Sequence, residues 1–226
     1  MKKVISFSLW GNNYRYLGGA LQNVELAKYF YPDWVCRFYI GQSTRKDFVE
    51  KLRSFDNVEV VEMPEEGNWT GMLWRFYAAS DPDVSVMMSR DCDSRIHRRE
   101  VEAVKEWLNS DKDFHIMRDH PYHTVPILGG MWGCRNGILR NVNFSQTIEK
   151  WNQFHRKGID QDFLGQVIYP FVKDKSLEHS EFNLKFGQEI RPFPTKRIDY
   201  EFVGEIFDEN DVRHSDHWKL IKNIIG

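Results

Sequence analysis

Apolar runs and amphipathic segments alternate through the first half of the sequence. Four short runs have the length and the β-branched and aromatic content of buried strands: residues 4–10, 35–40, 58–63 and 84–89. The segments between them repeat apolar residues at helical spacing: Leu17, Ala20, Leu21, Val24 and Ala27, then Phe48, Leu52 and Phe55, then residues 69–79. Strands that alternate with helices in this way predict a mostly parallel central sheet with helices on both faces.

The second half of the sequence is less regular. Its pattern predicts, in order, a helix, a strand, a polar loop, a glycine-rich segment and a second helix: residues 99–108, 114–117, 118–124, 125–134 and 163–171. The tail from Glu178 has no clear periodicity. Because no linker, repeat or low-complexity segment interrupts the chain, we expect a single α/β domain over residues 1–226.

Composition adds limits on location and partners. The chain has 226 residues, of which 41% are hydrophobic, and its formal net charge is −2, so no overall basic field favours nucleic acid binding. The cysteines Cys36, Cys92 and Cys134 are odd in number and far apart, which favours free thiols in a reducing cytoplasm. The apolar run at residues 4–10 is too short for a membrane span and is interpreted as the first strand. We therefore expect a cytoplasmic protein without a transmembrane segment.

Two acidic residues follow the fourth predicted strand, one residue apart. Asp91 and Asp93 stand where ligands bind in open α/β sheets, beyond the carboxyl end of a strand. Their spacing points both side chains to one side if the strand continues, and carboxylates this close repel unless a cation lies between them. We therefore predict a Mg²⁺ or Mn²⁺ site that holds a diphosphate. The alternative is a solvated polar turn in which Arg90 and Arg95 neutralise the pair.

Five segments of the sequence, in this order, resemble a known family. They are ISFSL at 5–9, MLWRF at 72–76, SRDCDS at 89–94, GGMWG at 129–133 and DQDFL at 160–164. Over residues 4–182 the chain resembles small nucleotide-sugar glycosyltransferases of the GT-A fold, like those of bacterial surface-polysaccharide pathways and large algal viruses. The resemblance implies a Rossmann-like sheet and transfer of a sugar from a nucleotide donor.

The resemblance implies a donor site in a nucleotide-binding half, residues 1–95. In such enzymes the paired aspartates, here Asp91 and Asp93, hold Mn²⁺ or Mg²⁺ against the diphosphate of a UDP- or GDP-sugar. The end of the first strand lines the nucleoside site, and a tyrosine beside it stacks on the base. The implied donor-binding residues are Phe7, Ser8, Leu9, Tyr14, Tyr16, Arg75, Arg90, Asp91, Gly130 and Gln161.

The resemblance also implies an acceptor and catalytic half, residues 96–226. Asp160 and Asp162 flank Gln161 at a predicted helix start, where one of them faces the sugar and the acceptor in the family. We expect one of the two, with Asp162 preferred, to deprotonate a hydroxyl of a carbohydrate acceptor.

Histidines after this helix are candidates for a third metal ligand. Many members of the family supply such a ligand, and His179 is the first candidate here, with His214 and His217 next. The polar loop at residues 118–123 is expected near the acceptor.

Three other classes of protein were weighed against this prediction. Nucleotidyltransferases share the α/β nucleotide site but carry a glycine-rich, basic loop after the first strand, which residues 11–14 match poorly. Haloacid-dehalogenase phosphatases carry their paired aspartates after the first strand, not the fourth. A carbohydrate-binding module with Trp and Tyr platforms is the non-enzymatic alternative, but such modules are mostly all-β.

Overall fold

A central sheet organises the part of the chain that the structure describes. This computed structural model describes residues 1–139, 142, 144–151, 153–154, 156–187 and 189–226. Within them, eight strands form one sheet. The strands are β1 (Lys2–Leu9), β2 (Trp34–Ile40), β3 (Val58–Glu62), β4 (Val84–Ser89), β5 (Phe114–Arg118), β6 (Trp132–Arg135), β7 (Ser176–Ser180) and β8 (Ile190–Arg191).

The strand order places the carboxyl ends of β1 and β4 side by side. The order is β3-β2-β1-β4-β6-β5-β7-β8, in which β6 runs antiparallel to both of its neighbours and the other pairs are parallel. From β1 the chain continues to β2 and β3 on one side of this strand and then crosses to β4 on its other side. Open α/β sheets bind ligands at such a switch point. The predicted mostly parallel α/β sheet is confirmed.

Helices cover both faces of this sheet. They are α1 (Tyr14–Phe30), α2 (Lys46–Arg53), α3 (Arg98–Leu108), α4 (Phe144–Trp151), α5 (Ile159–Phe163), α6 (Tyr169–Val172) and α7 (Ser215–Ile225). Alternate residues of β1 point to opposite faces, so that Phe7 joins the core under α1, α2 and α3, whereas Val4 joins a second core with α4 and α5. No helix in the described ranges is long and apolar enough to cross a membrane.

The helix predicted over residues 69–79 is a 3₁₀ helix, Trp69–Ser80. Two serines of β1 hold its backbone: the Ser6 hydroxyl donates to the Arg75 carbonyl at 2.7 Å, and the Arg75 amide donates to the Ser8 hydroxyl at 3.0 Å. Hydrogen bonds within a long 3₁₀ helix have poor geometry. The two serine hydroxyls therefore provide additional hydrogen bonds to its backbone. They also fix the position of Arg75 relative to the end of β1.

The helical segment predicted over 163–171 is interrupted. It consists of α5, a π-helical turn at Leu164–Ile168, and α6. Phe163, Leu164 and Ile168 are buried as predicted, but Phe171 is exposed. A π turn adds residues to each helical turn, so the face that begins at Phe163 no longer continues to Phe171.

The first long helix packs closely on the loop that follows β4. A Cβ atom on Gly19 of α1 would lie 2.0 Å from the carbonyl oxygen of Cys92, so only glycine allows this approach. The Asn23 amide nitrogen donates to the carbonyl of Ser94 at 2.8 Å, and its oxygen accepts from the Ile96 amide at 3.1 Å. Helix α1 therefore sets the position of the loop that carries the paired aspartates.

We expect Gly19→Ala to lower the free energy of unfolding by about 1–3 kcal/mol, because the added methyl group overpacks the contact with the Cys92 carbonyl. Gly165→Ala is the matched control, since its Cβ would meet no atom closer than 3.9 Å. Alanine is a better helix former than glycine by about 1 kcal/mol, so the control should be neutral or more stable. Urea unfolding measures both, and equal stability of the two variants would contradict this packing.

Candidate active site

A cavity of about 920 Å³ opens beyond the carboxyl ends of β1 and β4. One part of its wall comes from the end of β1, the start of α1, the 3₁₀ helix and the loop after β4. The remainder comes from the loop after β5, the segment before β6, the start of α5 and the chain between Phe202 and His217. Both halves of the sequence therefore contribute to one cavity.

Asp91 and Asp93 both line this cavity, and each has an arginine partner. The Asp91 carboxylate accepts a hydrogen bond from Arg75 through Oδ1, and its side chain is 43% exposed. Asp93 is more enclosed, at 14%, and its Oδ2 accepts from Arg15 Nη2 at 2.7 Å. Burial raises the pKa of Asp93 and the Asp91 charge raises it further, whereas Arg15 opposes the shift. The pair is thus close enough for its members to repel.

Arg75 joins the acidic pair to a third carboxylate. Its Nη2 donates to Asp160 Oδ2 at 2.9 Å, and its Nη1 donates to Asp91 and to the Arg90 carbonyl. The side chains of Arg75 and Asp160 are only 5% and 4% exposed. Burial raises the pKa of Asp160, a shift that Arg75 opposes and Asp91 increases. Burial by itself would lower the pKa of Arg75, but the two carboxylates outweigh it and the net shift is upward.

Two glycines let these carboxylates lie against the backbone before β6. The antiparallel register of β4 and β6 pairs Ser89 with Trp132, and its continuation brings Gly130 opposite Asp91. A Cβ on Gly130 would lie 2.1 Å from Asp91 Oδ2, and one on Gly129 would lie 2.1 Å from Asp160 Oδ2. The glycine-rich segment therefore makes room for two carboxylates, a role that the sequence alone did not indicate.

The cavity collects eight of the residues predicted from the sequence. These are Ser8, Leu9, Tyr16, Arg75, Asp91, Asp93, Asp160 and Gln161; of the two further candidates for a third metal ligand, His217 also lines the cavity and His214 does not. Gly130 lies directly behind the Asp91 carboxylate. The structure places the other predicted residues outside the cavity wall: Phe7, Tyr14, Arg90, Asp162 and His179.

Phe7, Arg90 and Tyr14 lie outside the cavity wall because neighbouring side chains of a strand or helix point in different directions. Phe7 points into the core, where its ring stacks on Phe38 with centroids 4.8 Å apart. Arg90 is buried and donates to Glu100 at 2.8 Å. Tyr14 is exposed on α1, whereas Tyr16 lies on the cavity side. Neither Phe7 nor Arg90 can reach a donor in the cavity directly.

Asp160 and Asp162 point in different directions. Because successive residues of an α-helix turn by about 100°, side chains two positions apart lie on nearly opposite sides. Asp160 is buried beside Arg75, whereas Asp162 lies on the outer side of α5 and pairs with Arg156. Of these two predicted residues, Asp160 therefore lines the cavity and Asp162, the preferred one, does not.

His179 lies on β7, which β6 and β5 separate from β4. Its Nδ1 is 2.8 Å from Nε2 of His115, and its Nε2 is 3.3 Å from Glu106. The structure therefore does not bring His179 to the acidic pair. Among the residues that the structure describes, no group of three or more His, Cys, Asp or Glu side chains could hold a metal ion.

Aromatic and imidazole rings form a further part of the wall. They belong to His120, Tyr122, His123, Phe202 and His217, and they include residues of the loop predicted near the acceptor. The His120 and Phe202 rings are 4.5 Å apart, and His120 Nε2 is 3.1 Å from the His217 carbonyl. Burial lowers the pKa of His120 and His217, and it lowers that of His123 to about 3. These imidazoles are neutral at pH 7, so this wall is uncharged and suited to hydroxyl groups.

Sequence reasoning missed several residues of the wall: Trp10, Arg15, Trp69, Met72, Lys157 and Phe202. Arg15 carried a usable signal, because it lies between two predicted tyrosines in the first turn of a helix that follows the first strand. Phe202 carried none, since the tail lacks periodicity and its position depends on long-range packing.

The fold is similar to those of several solved structures. No protein-family model matches the chain, and comparison with curated proteins gives no match. One similar structure is a glycosyltransferase involved in the glycosylation of the major capsid of PBCV-1, with a TM-score of 0.51 and 14% identity. The match covers 81% of this chain and 84% of that glycosyltransferase. The galactosyltransferase LgtC, in complex with donor and acceptor sugar analogs, matches 78% of this chain over 73% of its own, with a TM-score of 0.52 and 11% identity.

A third similar structure is TarS residues 1–349 from S. aureus, with a TM-score of 0.52 and 13% identity. The match covers 80% of this chain but only 58% of the TarS chain. At these identities the likeness concerns the fold. The chain has the GT-A fold that these structures share.

Proposed function

We propose that this protein is a metal-dependent glycosyltransferase that transfers a sugar from a UDP- or GDP-sugar to a carbohydrate acceptor. The observation that carries the proposal is the pair Asp91 and Asp93, which line a cavity at the switch point of a GT-A sheet. Function resides in the site and not in the fold. The proposed reaction is therefore argued from these two carboxylates, because the fold by itself does not specify it.

The donor atoms fit Mg²⁺ or Mn²⁺. Both ions prefer oxygen ligands, and Mg²⁺ in particular is usually held by one or two carboxylates together with substrate phosphates and water. Asp91 accepts from Arg75 through Oδ1, and Asp93 accepts from Arg15 through Oδ2. The other oxygen of each carboxylate is not bonded to these arginines and could bind a metal ion. Asp91 and Asp93 would hold the ion, which when bound stabilises the negative charge of the diphosphate leaving group.

The nucleoside is proposed to lie at the end of β1. Ser8 and Leu9 line the cavity there, and the rings of Trp10, Tyr16 and Trp69 border it. Aromatic faces of this kind stack on a base and exclude water from it. The cavity volume of about 920 Å³ lies near the upper end of the range typical of small-molecule sites, which leaves room for a donor with part of an acceptor.

Asp160 is proposed to act on the acceptor hydroxyl. It lines the cavity, and Arg75 fixes its Oδ2 in place. Its raised pKa brings it nearer to the working pH, which favours a general base. Gln161 lines the cavity beside it and can donate to sugar hydroxyls.

The uncharged wall of His120, Tyr122, Phe202 and His217 is proposed to bind the acceptor. Sugar rings present apolar faces and a rim of hydroxyls. The neutral His217 imidazole can donate to and accept from such hydroxyls, whereas both ring nitrogens of His120 already have partners and its ring offers an apolar face. This assignment agrees with the location expected for the loop at residues 118–123.

We expect Asp93→Asn to weaken Mn²⁺-dependent binding of UDP or GDP at least tenfold, or about 1.4 kcal/mol, because the amide carries no charge for the cation. Titration calorimetry with and without Mn²⁺ measures the effect. Asp47→Asn is the matched control, since Asp47 is exposed and pairs with Arg45 away from the cavity. Equal nucleotide affinity in wild type and Asp93→Asn would mean that the pair does not hold the metal.

We expect Asp160→Asn to reduce turnover by about 10²- to 10⁴-fold, the usual contribution of a general base. Donor affinity should stay within about threefold, because the group acts mainly in the transition state. A donor is first found by thermal shift across UDP- and GDP-sugars, where saturation at a hundred times Kd stabilises by about 2.7 kcal/mol. Release of the nucleoside diphosphate then reports turnover.

Asp162→Asn is the control for Asp160→Asn, because Asp162 lies on the same short helix but outside the cavity. It should retain turnover close to that of the wild type. A larger loss in Asp162→Asn than in Asp160→Asn would reverse the assignment. A loss of donor affinity in Asp160→Asn as large as its loss of turnover would mean that Asp160 holds the donor.

A further inference from the structure

The carboxylates proposed to hold a cation already have cationic partners within the chain. Arg75 bonds to Asp91 and Asp160, and Arg15 bonds to Asp93. Lys157 is the remaining lysine or arginine among the described residues of the cavity wall, so three carboxylates face three basic side chains there. The wall is close to electrically neutral before any ligand binds.

The two arginines are held very differently. Arg75 is 5% exposed and donates to two carboxylates and to the Arg90 carbonyl, so its position is fixed from several sides. Arg15 is 29% exposed, and its side-chain hydrogen bonding within the described part of the chain is to Asp93 alone. The Nε atoms of both arginines are buried without a hydrogen-bond partner there, so the two side chains differ in exposure and in the number of their partners. Arg15 is thus the guanidinium that can move at the lower cost.

The position of Arg15 is also unfavourable by itself. It is the second residue of α1, which follows the N-cap residue Asn13. The first turn of a helix carries a partial positive charge, so a cation there is disfavoured unless an anion compensates it. Asp93 supplies that anion. A phosphate group near the same turn would compensate Arg15 equally well.

Occupation of Asp93 by a divalent cation conflicts with the present position of Arg15. The guanidinium nitrogen is 2.7 Å from Asp93 Oδ2, so an ion bound to this carboxylate would face a like charge at close range. We propose that Arg15 is an exchangeable counter-ion: it neutralises Asp93 in the empty site and turns to the donor diphosphate when Asp93 takes up the metal. This inference rests on the proposed function of the cavity.

The exchange couples metal binding to nucleotide binding. With metal alone, Arg15 is displaced and has no anion to bind, and with a diphosphate alone, Arg15 must leave Asp93 uncompensated. With both ligands present, every charge has a partner. Each ligand therefore raises the affinity for the other, and Arg15 transmits part of this coupling.

The test is Arg15→Gln, whose predicted effects on the two affinities have opposite signs. Binding of Mn²⁺ alone, measured by electron paramagnetic resonance of free Mn²⁺, should become tighter by about 5-fold or more, because the competing charge is gone. Binding of UDP or GDP in the presence of Mn²⁺, measured by calorimetry, should become weaker by about tenfold, because a charged phosphate contact is lost. Arg53→Gln, at the exposed end of α2, should change neither affinity.

Unchanged or weaker Mn²⁺ binding in Arg15→Gln would overturn the exchange, as would unchanged nucleotide affinity. These outcomes leave the proposed function intact, provided that wild type binds UDP or GDP in a Mn²⁺-dependent way and Asp93→Asn does not. If wild type binds neither nucleotide with Mn²⁺, the proposed function and this inference fail together.

A second measurement uses the wild-type protein, in which Arg15 keeps its charge. In ¹⁵N-arginine-labelled wild type, the guanidinium resonances of Arg15 should shift when Mg²⁺ is added without nucleotide. Arg15→Lys identifies these resonances by their absence. Resonances that stay unchanged at Mg²⁺ concentrations that saturate the site would show that Arg15 keeps its partner, and the exchange would be wrong.

Discussion

Electrostatic repulsion between Asp91, Asp93 and Asp160 is the constraint on which the rest of this site depends. The three carboxylates line one cavity, and two of them are largely buried. Charges brought together in this way require compensation, either from within the chain or from a ligand. The chain supplies Arg75 between two of the acids and Arg15 on the third. The arrangement is stable without ligand, yet one of its compensating cations can be exchanged.

Close backbone contacts hold these charged side chains in place. Serines of β1 hold the backbone of Arg75, and Gly19 lets α1 approach the loop after β4. Gly129 and Gly130 leave space for the carboxylates of Asp160 and Asp91. A side chain at any of these three glycines would displace a carboxylate or the loop that carries the pair. The close packing at these glycines is therefore required to hold the carboxylates in position.

Much of the first half of the structure could be predicted from the sequence, because it depends on local patterns. Short apolar runs determine β1 to β4, and a strand that ends in two acids marks the binding edge of the sheet. The cavity at that edge is lined by Ser8, Tyr16 and Arg75, three of the residues predicted from the sequence.

What the sequence could not provide depends on helix phase and long-range pairing. The choice between Asp160 and Asp162 required the direction in which α5 faces, which spacing alone does not determine. His179 follows the same helical region in sequence, but β7 pairs with β5, so that β6 and β5 both lie between it and β4. The tail that brings Phe202 and His217 to the cavity has irregular structure before α7, and no periodic pattern reports its path.

The most direct test of this account is anomalous diffraction at the manganese edge from crystals grown with Mn²⁺ and UDP or GDP. The account predicts a manganese peak within coordination distance, about 2 Å, of carboxylate oxygens of both Asp91 and Asp93, with the diphosphate on the same ion. Nucleotide bound in the cavity with no manganese at this pair, or manganese bound elsewhere with Arg15 still bonded to Asp93, would contradict it.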